Sequence, residues 1–200
     1  METGLCGVDL SRPRSARVHE AVLVATEQLL DAGGLGAATT DAISERSGVS
    51  KATVYKHWPS RIAVAAEAFG RQMADAVPAP DTGDPVEDLI EHFRRVSVFY
   101  LSPRGDVFAQ LLAACVTDAH GAEFFREFFL NERRRVIRSL WQRAVDAGRV
   151  DAAVDPEVAV DLLSGPLVFR RISGHAPLAP DDAAGLARAA IVGLGGSCEN

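Results

Sequence analysis

Apolar residues recur along this chain at helical spacing and nowhere alternate as a strand's would. Val18, Val22, Ala25 and Leu29 follow i, i+4, i+7 and i+11, one stripe that Gly33-Gly34 ends. A second run, Ile62, Ala65, Ala66, Phe69, Met73 and Val77, begins after the capping residue Ser60 and stops at VPAPDTGDP. Asp84-Pro85-Val86-Glu87 has the form of a capping box with proline at the first helical position, and Leu89, Phe93, Val96 and Tyr100 give the buried face behind it. Ser102-Pro103 opens a helix carrying Val107, Phe108, Leu111, Leu112 and Cys115. From about Ala119 to Ala147 the apolar positions come in pairs, from Phe124/Phe125 to Ala144/Val145. Such a wide stripe predicts the central helix of a helical body, ended by Gly148, with Glu132, Arg133, Arg134 and Arg138 on a solvated or salt-bridged side. Asp155-Pro156-Glu157 and Pro180-Asp181-Asp182 open the last two helices, to about Ser173 and Leu194. The pattern predicts an all-α chain of about nine helices.

One stretch, Thr39 to Arg61, carries two short helices joined by a tight turn. Thr40 is placed to N-cap the first and Gly48 to end it; Ser50 caps the second, which runs to Trp58. Ser44 supplies a small residue at the helix crossing and Val54 an inward contact, as a helix-turn-helix requires. On the second helix Val54 and Trp58 share the inner face, leaving Lys51, Thr53, Tyr55, Lys56 and His57 on the others. From Arg46 to Arg61 there are four Lys or Arg residues and no carboxylate. This locally positive element is suited to nucleic acid.

The segment SGVSKATVYKHWPSR resembles the DNA-binding signature of the TetR/AcrR family of bacterial one-component transcriptional regulators. Gly48-Val49-Ser50-Lys51, Thr53, Tyr55, Trp58-Pro59-Ser60 and Arg61 carry the resemblance, with Trp58 in place of the commoner phenylalanine, Arg61 of lysine and Ser44 of alanine. Residues 1–11 read as a flexible lead, and the resemblance implies a DNA-binding domain at 12–59, a connecting helix at 60–77 and a ligand-sensing and dimerisation domain at 78–200. It further implies that Thr40, Ser50, Lys51, Thr53, Tyr55, His57 and Arg61 meet DNA. In that division of labour Thr40, Tyr55 and Arg61 contact phosphates. Lys51, Ala52, Thr53 and Lys56 or His57 face base edges or nearby phosphates, Ala52 allowing close approach. Arg14 and Arg17 stand where an arm could reach phosphates, or could simply solubilise the N-terminus.

Composition narrows the alternatives. A chain of 200 residues with 48% hydrophobic residues can bury a real core. Its net charge of −6 argues against nonspecific coating of nucleic acid, and residues 78–200 hold 13 basic against 18 acidic residues, so the positive element sits on an acidic body. Three scattered cysteines, Cys6, Cys115 and Cys198, form neither a disulfide framework nor a metal spacing. With no signal peptide and no uninterrupted apolar span, a cytoplasmic location is expected. No motif for a nucleophile, metal or phosphate-binding loop occurs, so neither an enzyme, a cofactor nor a metal is expected. The competing readings are a small all-α enzyme of unfamiliar type and a helical adaptor that never touches DNA.

Two further expectations concern the body. The last two helices, through Leu163, Leu167, Ile172, Leu186 and Ala190, offer either a homodimer interface, which would present two readers to a palindromic operator, or intramolecular core. By the family resemblance, a small, mostly apolar ligand would be met by His92, Phe93, Tyr100, Phe108, Phe128 and Trp141 and would release the DNA.

Overall fold

The computed structural model describes residues 13–74 and 76–196, without the side chains of Pro13 and Arg14. The lead at 1–11, Cys6, Cys198 and the Arg14 side chain therefore lie outside the described residues. The helices are α1 Pro13–Ala37, α2 Thr40–Ser47, α3 Lys51–His57, α4 Arg61–Gln72, α5 Pro85–Tyr100, α6 Pro103–Cys115, α7 Ala119–Phe125, α8 Asn131–Asp146, α9 Pro156–Ser173 and α10 Pro180–Gly193. A π-helical turn, Arg126–Leu130, joins α7 to α8 without interruption. Counted as one, that run leaves nine helices and no strand among the described residues, the all-α architecture expected.

Contacts group the chain into two compact units, one of residues up to Met73 with Gln110–Phe129, the other of Ala74–Ala109 with the residues from Leu130 onward. In the first, α4 is the axis: every residue from Ile62 to Gly70 is buried. Helices α1 and α7 pack on it, and α2 links α1 to α3. Two glycines allow this closeness. A Cβ on Gly121 would lie 2.4 Å from Ile62 Cγ2, and one on Gly70 would lie 2.3 Å from the Phe128 carbonyl oxygen. Helix α1 breaks at Gly34 (φ 64°), where the Leu35 N–H donates to Gln110 Oε1 at 2.8 Å, and resumes as far as Ala37. Arg71 on α4 donates to Glu27 at 2.7 Å and also holds Glu20, fastening α4 to α1.

Helix α4 stops at Gln72 rather than Val77, a correction to the expected length. The Ala74 carbonyl, which a continuing helix would use internally, accepts from Arg133 Nη2 at 2.5 Å instead.

In the second unit α5 packs between α8 and α10, and α9 joins both of those. Asp84 caps α5, its Oδ1 accepting from Val86 N at 2.8 Å and Glu87 N at 2.9 Å, while Oδ2 accepts from Arg149 at 2.6 Å. These bonds hold its carboxyl below the usual carboxylate range. The reciprocal half of the expected capping box is not used, since Glu87 pairs with Arg188 at 3.2 Å. Asp88, one residue on, is buried and accepts from Arg143 at 2.6 Å and from the Thr82 hydroxyl at 2.8 Å, so its charge is not left unpaired. The arginine face of α8 is salt-bridged: Arg134 reaches Asp161 and Glu157, each at 2.5 Å, and Arg138 reaches Glu157.

Helix α9 separates its apolar residues by face. Leu163 and Leu167 are buried within the single chain, which corrects their placement at an interface: they belong to its core. Val158, Leu162, Phe169 and Ile172 lie on the opposite side and are exposed. Leu186 and Ala190 on α10 are half-buried.

Candidate nucleic-acid interface

The two-helix turn is built as its sequence requires, with one shift. Thr39, not Thr40, caps α2: its hydroxyl accepts from Ala42 N at 3.1 Å. Thr40 is thereby the first helical residue, and its hydroxyl lies 3.2 Å from that of Tyr55 on α3. Either of two adjacent threonines can cap, and the one left over is free for another partner. Gly48 ends α2 at φ 69°, a left-handed conformation that favours glycine. Ser44 does more than fit the helix crossing. Its hydroxyl donates to the Val49 carbonyl at 2.7 Å, while Ser47 Oγ accepts from Val49 N at 3.2 Å, so the turn is held by two side chains that alanine could not replace.

Ser50 caps α3, accepting from Thr53 N at 3.3 Å with its oxygen 2.9 Å from Thr53 Oγ1. Val54 and Trp58 are buried, as their spacing predicts. Lys51, Ala52, Tyr55 and Lys56 are exposed; Tyr55 retains 53% of its surface. One outer face thus presents an ammonium, a methyl, a phenol and a second ammonium, the groups that meet phosphates and base edges in a major groove. Arg61, at the start of α4, is exposed and donates to the Leu35 carbonyl at 3.1 Å. Arg17 is exposed as well and lines an open groove of α1 and α2 with Arg46.

Two features differ from the sequence reading. Asp41, at the first turn of α2, pairs with Lys51, so the positive stretch Arg46 to Arg61 has a carboxylate facing it from outside that stretch. His57 is half-buried rather than turned fully outward: its ring lies 5.5 Å from that of Trp58 and 6.2 Å from that of His19, and its Nδ1 is buried without a partner. Desolvation, followed by the neighbouring His19 and Lys56, lowers its pKa, which favours the neutral imidazole.

Residues 22–72 match the family described as "Bacterial regulatory proteins, tetR family", and residues 79–190 match "Tetracyclin repressor-like, C-terminal domain". The chain belongs to the TetR family. It is 37% identical over 159 residues to the HTH-type transcriptional regulator YdeS of Bacillus subtilis, covering 80% of each chain. The crystal structure of the TetR family transcription regulator SCO0332 superposes with a TM-score of 0.76 at 30% identity, over 92% of this chain and 100% of that one. RolR, solved with resorcinol, shares the fold with a TM-score of 0.68 at 16% identity, over 93% of this chain and 92% of that one. As a TetR-family member the chain is a helix-turn-helix transcriptional regulator.

The residues expected to meet a ligand divide between the units. His92, Phe93, Tyr100, Phe108 and Trp141 belong to the second and are buried, with Tyr100 stacked on Phe108 at a ring separation of 4.9 Å. Phe128 belongs to the first and is 39% exposed; its ring contact is with Phe124, at 5.6 Å. Burial lowers His92 to about 4, with Arg133 and Arg95 adding to the effect, so its imidazole is neutral. His92 Nδ1 and Trp141 Nε1 are both buried without a hydrogen-bond partner. No sequence pattern announces such a shortage, since it depends on what surrounds each atom after folding.

Proposed function

We propose that this regulator is a homodimeric repressor that binds a palindromic operator and releases it when a small molecule enters its second unit. The observation that carries the DNA-binding half is the exposed face of α3, where Lys51, Ala52, Tyr55 and Lys56 stand outward over a buried Val54 and Trp58. Thr40, Ser50, Thr53 and Arg61 supply phosphate contacts at its margins, with Arg17 on α1 extending them and His57 offering only its outer edge. Arg14 is proposed to act with Arg17 on the sequence pattern alone.

Dimerisation is supported by the stripe on α9. Val158, Leu162, Phe169 and Ile172 occupy one side of a helix whose other side already fills the core, and Phe169 keeps 64% of its surface exposed. A contiguous apolar face of this kind is a candidate protein interface. Two-fold pairing would set two readers in successive major grooves, roughly 34 Å apart.

The ligand half rests on the two buried, unpartnered polar atoms of His92 and Trp141 among aromatic side chains. A mostly apolar molecule with a hydrogen-bonding group would satisfy them, and the fold neighbour RolR, solved with resorcinol, supports a ligand of that general kind. Release requires the ligand to prefer a conformation in which the readers no longer match the operator. Like its family, the chain would act on DNA in the cytoplasm, with no catalytic step. The test is an operator titration with and without each compound that raises the melting temperature. Stabilising compounds that weaken operator binding by about 5- to 150-fold are expected; stabilising compounds that leave it unchanged would contradict ligand release.

A further inference from the structure

Glu67 is a carboxylate in the middle of the most buried helix of the molecule, and the DNA-contact assignment makes no use of it. It is 7% exposed. Its Oε2 accepts from Trp58 Nε1 at 2.6 Å and its Oε1 lies 3.1 Å from His19 Nε2. His19 in turn stacks on the Trp58 indole with ring centroids 4.7 Å apart and planes 27° from parallel. Three side chains from α1, the end of α3 and α4 therefore close on one another.

We propose that Glu67 is a positioning residue for DNA recognition, fixing the angle at which α3 is presented by holding Trp58, the residue that caps its C-terminus, through the indole N–H. The proposal rests on α3 being the DNA reader. Helix α3 has only seven residues, too few to hold a direction by its own hydrogen bonds. Its orientation depends on what grips its two inward residues, and of these Val54 offers only packing whereas Trp58 offers a directional bond. A buried carboxylate makes that bond stiff. Moving the indole away leaves one oxygen of a buried carboxylate without its donor, which costs more than the shift of an apolar contact. His19 satisfies the second oxygen and lies flat on the indole, so the ring can neither slide along α4 nor tilt toward α1 without breaking a polar contact. Phenylalanine at position 58 would fill most of that space with no such restraint. Tryptophan at 58 and glutamate at 67 thus form one device, and the departure from the commoner phenylalanine has a physical partner in the fold.

The test uses the full-length protein and a duplex selected by the wild-type chain from a randomised DNA pool. Three variants are compared, Trp58→Phe, Glu67→Leu and the double variant Trp58→Phe/Glu67→Leu, each followed by melting temperature and by operator affinity. The single changes are expected to weaken the operator about ten- to hundredfold, the range of a lost hydrogen bond to a charged group. The double variant replaces both partners by apolar groups, so its melting temperature should recover above that of Trp58→Phe while its operator affinity stays low. Recovery of stability without recovery of affinity separates positioning from mere support of the fold. Wild-type affinity in the double variant would overturn the proposal, and so would single variants that bind as tightly as wild type. Should the single variants fail to fold, the double variant decides alone. Failure of the underlying DNA-reading assignment is distinguishable, because then the wild-type chain selects no duplex at all.

Discussion

Lys51 in the first turn of α3 forms an ion pair with Asp41 in the first turn of α2, on the surface that faces outward from the turn. Both side chains are largely exposed, so the pair itself adds little stability. Its consequence is for DNA. A phosphate approaching Lys51 meets the Asp41 carboxylate as well, and the lysine must leave one anion for another. Asp41→Asn is therefore expected to tighten operator binding by about two- to fivefold at low salt, an effect that fades as screening rises. Fluorescence anisotropy titrations at two salt concentrations check this. Weaker binding by Asp41→Asn would instead mean that the carboxylate accepts a hydrogen bond from the DNA.

Much of this surface was legible before the fold was known, for identifiable reasons. Ser50, Ser60, Asp84 and Asp155 each cap the helix that their position predicts, because a short polar side chain ahead of an apolar run has few other uses. Val54 and Trp58 face inward because their spacing allows nothing else. The cap of α2 slipped by one residue, since Thr39 and Thr40 have the same chemistry. The π turn at Arg126–Leu130 was invisible because paired aromatics fit either helix period. Leu163 and Leu167 could not be told from Leu162 and Ile172 on a helix apolar nearly all round until its neighbours were in place. Glu67 gave a faint signal, a lone charge within AVAAEAF, but its partners come from α1 and α3 and no spacing encodes them.

The close approach at Gly70 makes a stability prediction. A methyl group there would collide with the Phe128 backbone, which has no flexible side-chain end to move aside. Gly70→Ala should cost about 1 to 3 kcal/mol, the range for overpacking a tight core, despite the better helix propensity of alanine. Urea denaturation measures it, and a neutral or stabilising change would show that α4 and the π turn are not held as described.

Acid stability depends on His92. Its folded-state pKa of about 4 lies below its ordinary value of 6.5, so between those values the unfolded chain binds the extra proton. The stability that neutral His92 preserves is complete above pH 6.5 and is lost as pH falls toward 4. The loss amounts to about 3 kcal/mol, by the conversion of a pKa shift into free energy. In His92→Leu the decline from pH 6.5 to 4 should be shallower than in wild type by about that amount. Parallel declines in denaturation series across that window would contradict the burial of a neutral imidazole.

The exposed stripe on α9 predicts the assembly. Phe169→Asp together with Ile172→Asp should leave the helical fold intact, because neither side chain is in the core, and should convert a dimer to a monomer in sedimentation at micromolar concentration. An unchanged sedimentation coefficient would move the interface elsewhere.

The central claim, that the outer face of α3 reads DNA, is tested most directly by an anisotropy titration of wild type and the Lys51→Ala/Tyr55→Ala double variant. Both are measured on a duplex selected by wild type and on a scrambled duplex. The account predicts tight, salt-dependent binding of the selected duplex by wild type alone. The double variant should be weaker by about 2 to 6 kcal/mol in total, the range of two ordinary contacts, with its helical content unchanged. Equal affinity of the two proteins for the selected duplex, or no preference of wild type for it over the scrambled one, would contradict it.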